Sequence, residues 1–345
     1  MQDPRPTGDR ATPEERPDEV DVVGIGNALV DVLSHADDDL IERLGVHKGG
    51  MTLVDEGRAA ELYEVMGPGV EVSGGSAANT IVGVASFGGR ARYLGKVRDD
   101  LLGSVFAHDL RATGVRYDTP PAAAGPATGC CLIMVTPDAQ RTMSTYLGAS
   151  ARFGPDDVDP EVVASGSVLY LEGYLFDEPE AQEAFRVAAG YAHDAGRTVS
   201  VTLSDSFCVE RHRDAFLDLV QRHVDLVFAN EAEITALFRA DDFDVAVEGV
   251  RRHGAIAALT RSERGSVVVT EDEVIEVAAH PVDQLVDTTG AGDLYAAGFL
   301  HGFSRKLDLP TCGALGSLAA AEVISHLGAR PATDLAGLAG PLVPG

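Results

Sequence analysis

From residue 168 to residue 260 the sequence alternates short apolar runs with longer stretches of helical periodicity, and few architectures accommodate that rhythm. Strand-like runs fall at 168–171, 198–203, 225–229 and 256–260, with helical segments at 180–195, 213–223, 231–238 and 243–252. Strands joined by helices in this way form a parallel sheet covered on both faces. The expected fold class is therefore α/β, a three-layer α/β/α sandwich with a mostly parallel central sheet.

The rest of the chain adds to this frame. A buried strand is expected at 20–26, helices at 56–66, 76–87 and 99–112, and two final helices at 291–303 and 312–326. Runs at 129–136 and 141–147, separated by Pro137-Asp138-Ala139-Gln140, read as a hairpin with a longer loop, and 266–277 reads as a second hairpin. The first hairpin, with strands near 28–55, departs from the alternating rhythm. A small β lid beside the main sheet is expected from about 28–55 and 115–148. Residues 1–19 are rich in Pro, Arg, Asp and Glu without apolar periodicity, so a disordered tail is expected there, ahead of a single domain over 20–345.

Charge narrows the partners. With 54 acidic against 27 basic residues the formal net charge is −27, which repels nucleic acid and anionic lipid. A small phosphate compound remains admissible, because backbone amides and one or two local cations can hold it. Cys130, Cys131, Cys208 and Cys312 show neither CxxC nor zinc spacing, and neither a secretory-signal pattern nor a membrane-length apolar run occurs. A cytoplasmic protein with free thiols is expected.

The motifs carry the chemistry. Gly24-Ile25-Gly26 follows a strand, but Leu29 stands where a dinucleotide fingerprint needs its third glycine, which disfavours an oxidoreductase, and no GxxxxGK[ST] loop occurs. In Asp287-Thr288-Thr289-Gly290-Ala291-Gly292-Asp293 the glycines let successive N–H groups point at one spot, and the helix beginning there adds the positive end of its dipole. Asp293 projects from that first turn, where a carboxylate beside an anion site suits a general base. The blander alternative is an ordinary acid at a helix start. Gly74-Gly75-Ser76-Ala77-Ala78-Asn79 enters another helix through a glycine turn, with Ser76 as a candidate cap and Asn79 able to face the same cleft. Asn230-Glu231-Ala232-Glu233 reads first as a capping box, and alternatively as a magnesium-ordering pair at a strand's carboxyl end. Asp31, just after the first strand, either accepts from a sugar diol or simply ends the strand.

Taken together, the Gly74–Asn79 and Asp287–Asp293 segments resemble the two signatures of the ribokinase-like family, the phosphofructokinase-B family of carbohydrate and purine-nucleoside kinases. The resemblance spans about residues 20–330 and is greatest toward the adenosine kinases, whose amino-terminal substrate motif is similar to Gly26-Asn27-Ala28-Leu29-Val30-Asp31. It implies a ribokinase-like fold and an ATP-dependent transfer to a primary hydroxyl, adenosine 5′-OH first. Asp293 would be the base, and Gly290, Ala291 and Gly292 the anion hole, with Arg141 reaching the transferred phosphate from the lid. Asp31, Gly75 and Asn79 would hold the ribose, Asn27 and Ser76 would lie near the purine, and Tyr174 and Phe207 would flank it. Thr260, Gly265 and Thr289 would meet the nucleotide, and Asn230 and Glu233 would order Mg2+ through water. K+ is a further candidate cofactor, and either a monomer or a homodimer is compatible. Two positions depart from the family pattern, Ser262 where a glycine is usual and Thr202 where adenosine kinases often carry asparagine. A sugar kinase with the same machinery is the main alternative; a non-catalytic nucleotide-binding protein fits the intact motifs less well.

Overall fold

The computed structural model describes residues 19–138, 140–340 and 342. Its strands are β1 (Val20–Ile25), β2 (Leu29–His35), β3 (Met51–Leu53), β4 (Gly69–Gly74), β5 (Ala91–Leu94), β6 (Thr128–Val135), β7 (Arg141–Gly148), β8 (Gly166–Glu172), β9 (Thr198–Thr202), β10 (Leu226–Asn230), β11 (Ile256–Thr260), β12 (Ser266–Val269) and β13 (Val274–Val277). They form two sheets. The larger runs β13-β12-β11-β10-β9-β8-β1-β5 and is parallel except for the β11–β12 and β12–β13 pairs at one edge.

The continuous apolar runs follow from cover on both faces. Val168 and Tyr170 enter one core with Ile81, Phe299 and Leu315, from helices Ser76–Ser86, Ala291–Ser304 and Leu309–Val323. Leu169 and Leu171 enter the other with Phe185, Phe216 and Val247, from Pro179–Asp194, Arg213–His223 and Phe243–Arg251. Each such fully buried side chain stabilises the fold by roughly 1.5–3 kcal/mol. This is the expected three-layer sandwich. The Ala291–Ser304 and Leu309–Val323 helices come so close that a Cβ on Gly298 would lie 2.3 Å from the Leu315 carbonyl oxygen.

The second sheet, ordered β3-β7-β6-β2-β4, mixes antiparallel pairs (β2–β4, β6–β7) with parallel ones (β2–β6, β3–β7). Val30, Val32, Leu132 and Met134 pack from one of its faces on Leu62, Phe106 and Leu110. The two sheets meet at short joints. β1 ends at Ile25 and β2 begins at Leu29, so Asn27 occupies one joint; Gly75, between β4 and helix Ser76–Ser86, occupies another.

Several expectations need correction. The last long helix covers Leu309–Val323 rather than 312–326, because Pro310 sits in its first turn, where a missing N–H costs nothing, and Asp308 caps it through the Thr311 amide at 2.8 Å. The helix Asp38–Leu44 and β4 belong to the second sheet's neighbourhood, and β4 lies outside both stretches expected to supply lid strands. The tail expected over 1–19 lies outside the described residues, apart from Glu19, which accepts from Arg197 Nη2 at 3.3 Å. All four cysteines are buried and free, and among the described residues no helix is long and apolar enough to cross a membrane.

Candidate active site

Gly290 adopts φ +80°, and a Cβ there would lie 2.7 Å from the Ala329 Cα, so only glycine fits beneath the helix that starts at Ala291. The Ala291 amide is used inside the turn, donating to the Thr288 carbonyl at 3.2 Å. Among the described residues the Gly290 and Gly292 amides meet no protein acceptor.

Asp293 follows in the helix's first turn. Its Oδ1 accepts from Ser76 Oγ at 2.6 Å and its Oδ2 from Asn79 Nδ2 at 3.1 Å, joining motifs more than 200 residues apart. The helices carrying them touch at Gly83, where a Cβ would come within 2.6 Å of Ala297 Cβ. Burial pushes the Asp293 carboxyl up to about 6, against the lowering effect of the two hydrogen bonds. Ser76 therefore serves this carboxylate rather than capping its own helix, whose N-cap is Gly75.

Gly74 and Gly75 are needed by the chain itself. A Cβ on Gly74 would sit 2.3 Å from Asp31 Cγ, and one on Gly75, at φ +99°, 2.2 Å from the Asn27 carbonyl oxygen. These clearances let the Asn27–Asp31 segment press against the second motif. The Asp31 carboxyl is likewise raised by burial to about 6, with Arg330 and Arg141 pulling it down. Asn27 is buried and already engaged: Nδ2 donates to Glu172 Oε1 at 2.7 Å, and Oδ1 accepts from Ser150 Oγ at 2.9 Å.

Glu172 escaped the sequence reading. It also takes the Ala77 amide on Oε2 at 2.7 Å, and burial raises its carboxyl to about 7. An acid ending the apolar run Val168-Leu169-Tyr170-Leu171 at the carboxyl end of a parallel strand was the available signal. Arg330 was also missed. Its Nε donates to Asn79 Oδ1 at 3.3 Å, and a lone arginine beyond the last long helix carries no local pattern.

Arg141 forms a buried ion pair with Asp287 at 2.8 Å, while its Nε is buried and has no partner among the described residues. Burial pushes Asp287 upward, but hydrogen bonds from Thr289 and Gly328, with the Arg141 charge, outweigh it and hold the carboxyl below its usual value. The Thr289 hydroxyl is occupied by this carboxylate at 2.7 Å.

On the other flank Asn230 and Thr260 are register partners at the carboxyl ends of β10 and β11. Asn230 and Glu233 form the capping box: the Glu233 amide donates to Asn230 Oδ1 at 2.9 Å and the Asn230 amide to Glu233 Oε2 at 3.0 Å, with a further bond from Asn230 Nδ2 to Glu233 Oε1 at 2.6 Å. Burial raises Glu233 to about 7. Beyond β11, Ser262 adopts φ +53°, the left-handed region that a glycine occupies without strain, and Gly265 has φ +80°. Tyr174 is partly buried, and burial, reinforced by the negative charges of Asp205, Asp293, Glu233 and Glu172, raises its hydroxyl well above the ordinary tyrosine value. Phe207 is 68% exposed.

The sequence model of the pfkB family of carbohydrate kinases matches residues 54–335. The solved adenosine kinase of Sinorhizobium meliloti is 51% identical with TM-score 0.87, over 94% of this chain and 100% of that one. A solved probable sugar kinase from Rhizobium etli CFN 42 is 48% identical with TM-score 0.87, over 94% of this chain and 99% of that one. Adenosine kinase 2 of Arabidopsis thaliana is 25% identical over 89% of this chain and 94% of its own length.

Proposed function

This chain belongs to the pfkB family of carbohydrate kinases, and from that premise we propose that it transfers the γ-phosphoryl group of ATP to the 5′-hydroxyl of adenosine, giving AMP and ADP in cytoplasmic purine salvage. The family makes it a phosphotransferase with an alcohol acceptor. The observation that carries the mechanism is the Asp293 carboxylate, fixed by Ser76 and Asn79 beside the unengaged amides of Gly290 and Gly292. The acceptor follows from the 51% identical adenosine kinase of Sinorhizobium meliloti.

In this reading Asp293 takes the 5′-hydroxyl proton as the oxygen attacks phosphorus, and a value of about 6 leaves it mostly ionised at neutral pH yet basic enough to accept. The turn amides and Arg141 meet the charge that spreads over the equatorial oxygens, where positioning and electrostatics supply most of the catalysis. Asp31, Gly75 and Asn79 hold the ribose, Asn27 orders the segment next to the purine, and Tyr174 offers an aromatic wall. Thr260, Gly265 and Thr289 meet the nucleotide. Asn230 and Glu233 present oxygen donors suited to a hydrated Mg2+, which neutralises phosphate charge when bound. The second sheet closes over the acceptor as a lid and excludes water.

A sugar kinase is the second reading, favoured by the exposure of Phe207, which leaves a purine with one aromatic wall instead of two. ADP release across nucleosides, free sugars and sugar phosphates separates them. Adenosine as the preferred acceptor supports the proposal; a preferred free sugar with adenosine inert moves the chain to the sugar-kinase branch.

A further inference from the structure

The loop after helix Leu309–Val323 underlies the catalytic turn at three points. The Gly328 amide donates to Asp287 Oδ2 at 3.0 Å, and the Ala329 Cα backs Gly290. Arg330 then reaches under the second motif, with each guanidinium nitrogen donating one hydrogen bond. Nη1 donates to Asp109 Oδ2 at 3.1 Å, Nη2 to Ser73 Oγ at 2.7 Å and Nε to Asn79 Oδ1 at 3.3 Å.

Asn79 is thereby held between a cation and a carboxylate. Its Oδ1 faces Arg330 and its Nδ2 faces Asp293 Oδ2 at 3.1 Å. A flipped amide would set NH2 against a guanidinium and a carbonyl oxygen against a carboxylate, losing both hydrogen bonds. Without Arg330, one side of that preference disappears. Resting on the reading of Asp293 as the base, we propose that Arg330 is a positioning residue that fixes the Asn79 amide so that its Nδ2 hydrogen addresses the Asp293 carboxylate.

The electrostatic setting makes this donor matter. The charged groups facing Asp293 are themselves acids: Asp31, Glu172 and Glu233. Tyr170 and Tyr174 act on it as neutral phenols, and among the described residues Ser76 and Asn79 are the side chains whose hydrogen bonds lower its proton affinity. Arg330 itself faces Asp109, Asp31 and Tyr93, so its charge also bears on the acceptor-binding carboxylate. For that reason kcat at saturating acceptor, not kcat/KM, isolates the effect on the base.

The test is the pH profile of kcat for Arg330→Met in the full chain. Its acid limb should move up by about half to one unit, which reads as a roughly two- to fivefold loss near pH 6 that shrinks toward the parental rate near pH 8. In an Asn79→Ala background the same substitution should add no further shift. An unshifted acid limb in Arg330→Met, or an undiminished further shift without Asn79, overturns the proposal. If Arg330→Met does not fold, neutral Arg330→Gln is read by the same criteria. Asp293→Asn separates the two layers: near-normal turnover there removes the base itself, whereas an inactive Asp293→Asn with an unshifted Arg330→Met removes only the role of Arg330.

Discussion

Arg141, the first residue of β7, and Asp287, the first residue of the glycine turn, are joined by a 2.8 Å ion pair in which each side chain is 8% exposed. The pair ties the second sheet to the glycine turn. Removing Arg141 leaves the Asp287 carboxylate with its Thr289 and Gly328 hydrogen bonds but without its cation, which destabilises the fold. Arg141→Ala should therefore lower the melting temperature, and it should lower kcat more than it raises the acceptor KM, since a phosphate contact tightens in the transition state. Steady-state kinetics check this; a change confined to KM would make Arg141 a ground-state contact.

Asp293 gives opposite pH signs for stability and activity. Its folded value of about 6 lies above the ordinary 3.8, so the folded state holds a proton that the unfolded state releases. Its contribution to stability is fully present below about 3.8 and is lost as pH rises through about 6. Activity needs the deprotonated form and so rises over that window. Asp293→Asn should melt with a flatter pH dependence than the parent between about pH 4 and 6.5. A mutant melting curve as pH-sensitive as the parent's contradicts this.

Glu172 gathers three N–H donors on two oxygens, from the Asn27 backbone and side chain and from the Ala77 amide. Glu172→Gln turns an NH2 group toward at least one of them, and a buried unsatisfied donor costs about 1–3 kcal/mol. Lower thermal stability and a higher acceptor KM are expected, because both joints of the acceptor site hang on this carboxylate. Unchanged melting and KM would show the contacts to be dispensable.

Tyr174 and Phe207 should separate. Stacking on an aromatic contributes roughly 1–3 kcal/mol in single-strand nucleic-acid sites, a scale borrowed here for a nucleoside. Tyr174→Ala should weaken adenosine use about tenfold or more on that scale while sparing residual sugar use. Phe207→Ala should change little, given its 68% exposure. Equal losses from both substitutions would show that Phe207 folds over the acceptor during turnover.

What the sequence disclosed follows from where the information is stored. The strands from β8 to β11 are apolar on both faces, so local composition announces them. Asp293 and Asn79 stand in glycine contexts whose geometry is local and therefore visible. β5 is four residues long and β4 is bounded by glycines, too little pattern to register. Glu172 and Arg330 act across 145 and 251 residues of chain, and no window contains both partners. Asn230 and Glu233 show the opposite case, since the capping box and the metal-ordering reading use the same two side chains, and the box is formed.

With Asp293 as the base of a phosphoryl transfer to adenosine, its replacement should slow the chemistry and spare nucleotide binding. The most direct measurement is AMP formation from adenosine and MgATP by Asp293→Asn beside the parent, with ATP binding measured on the same preparation. The account predicts turnover reduced on the order of 10²–10⁴ with ATP affinity retained. Near-normal AMP formation by Asp293→Asn would contradict it.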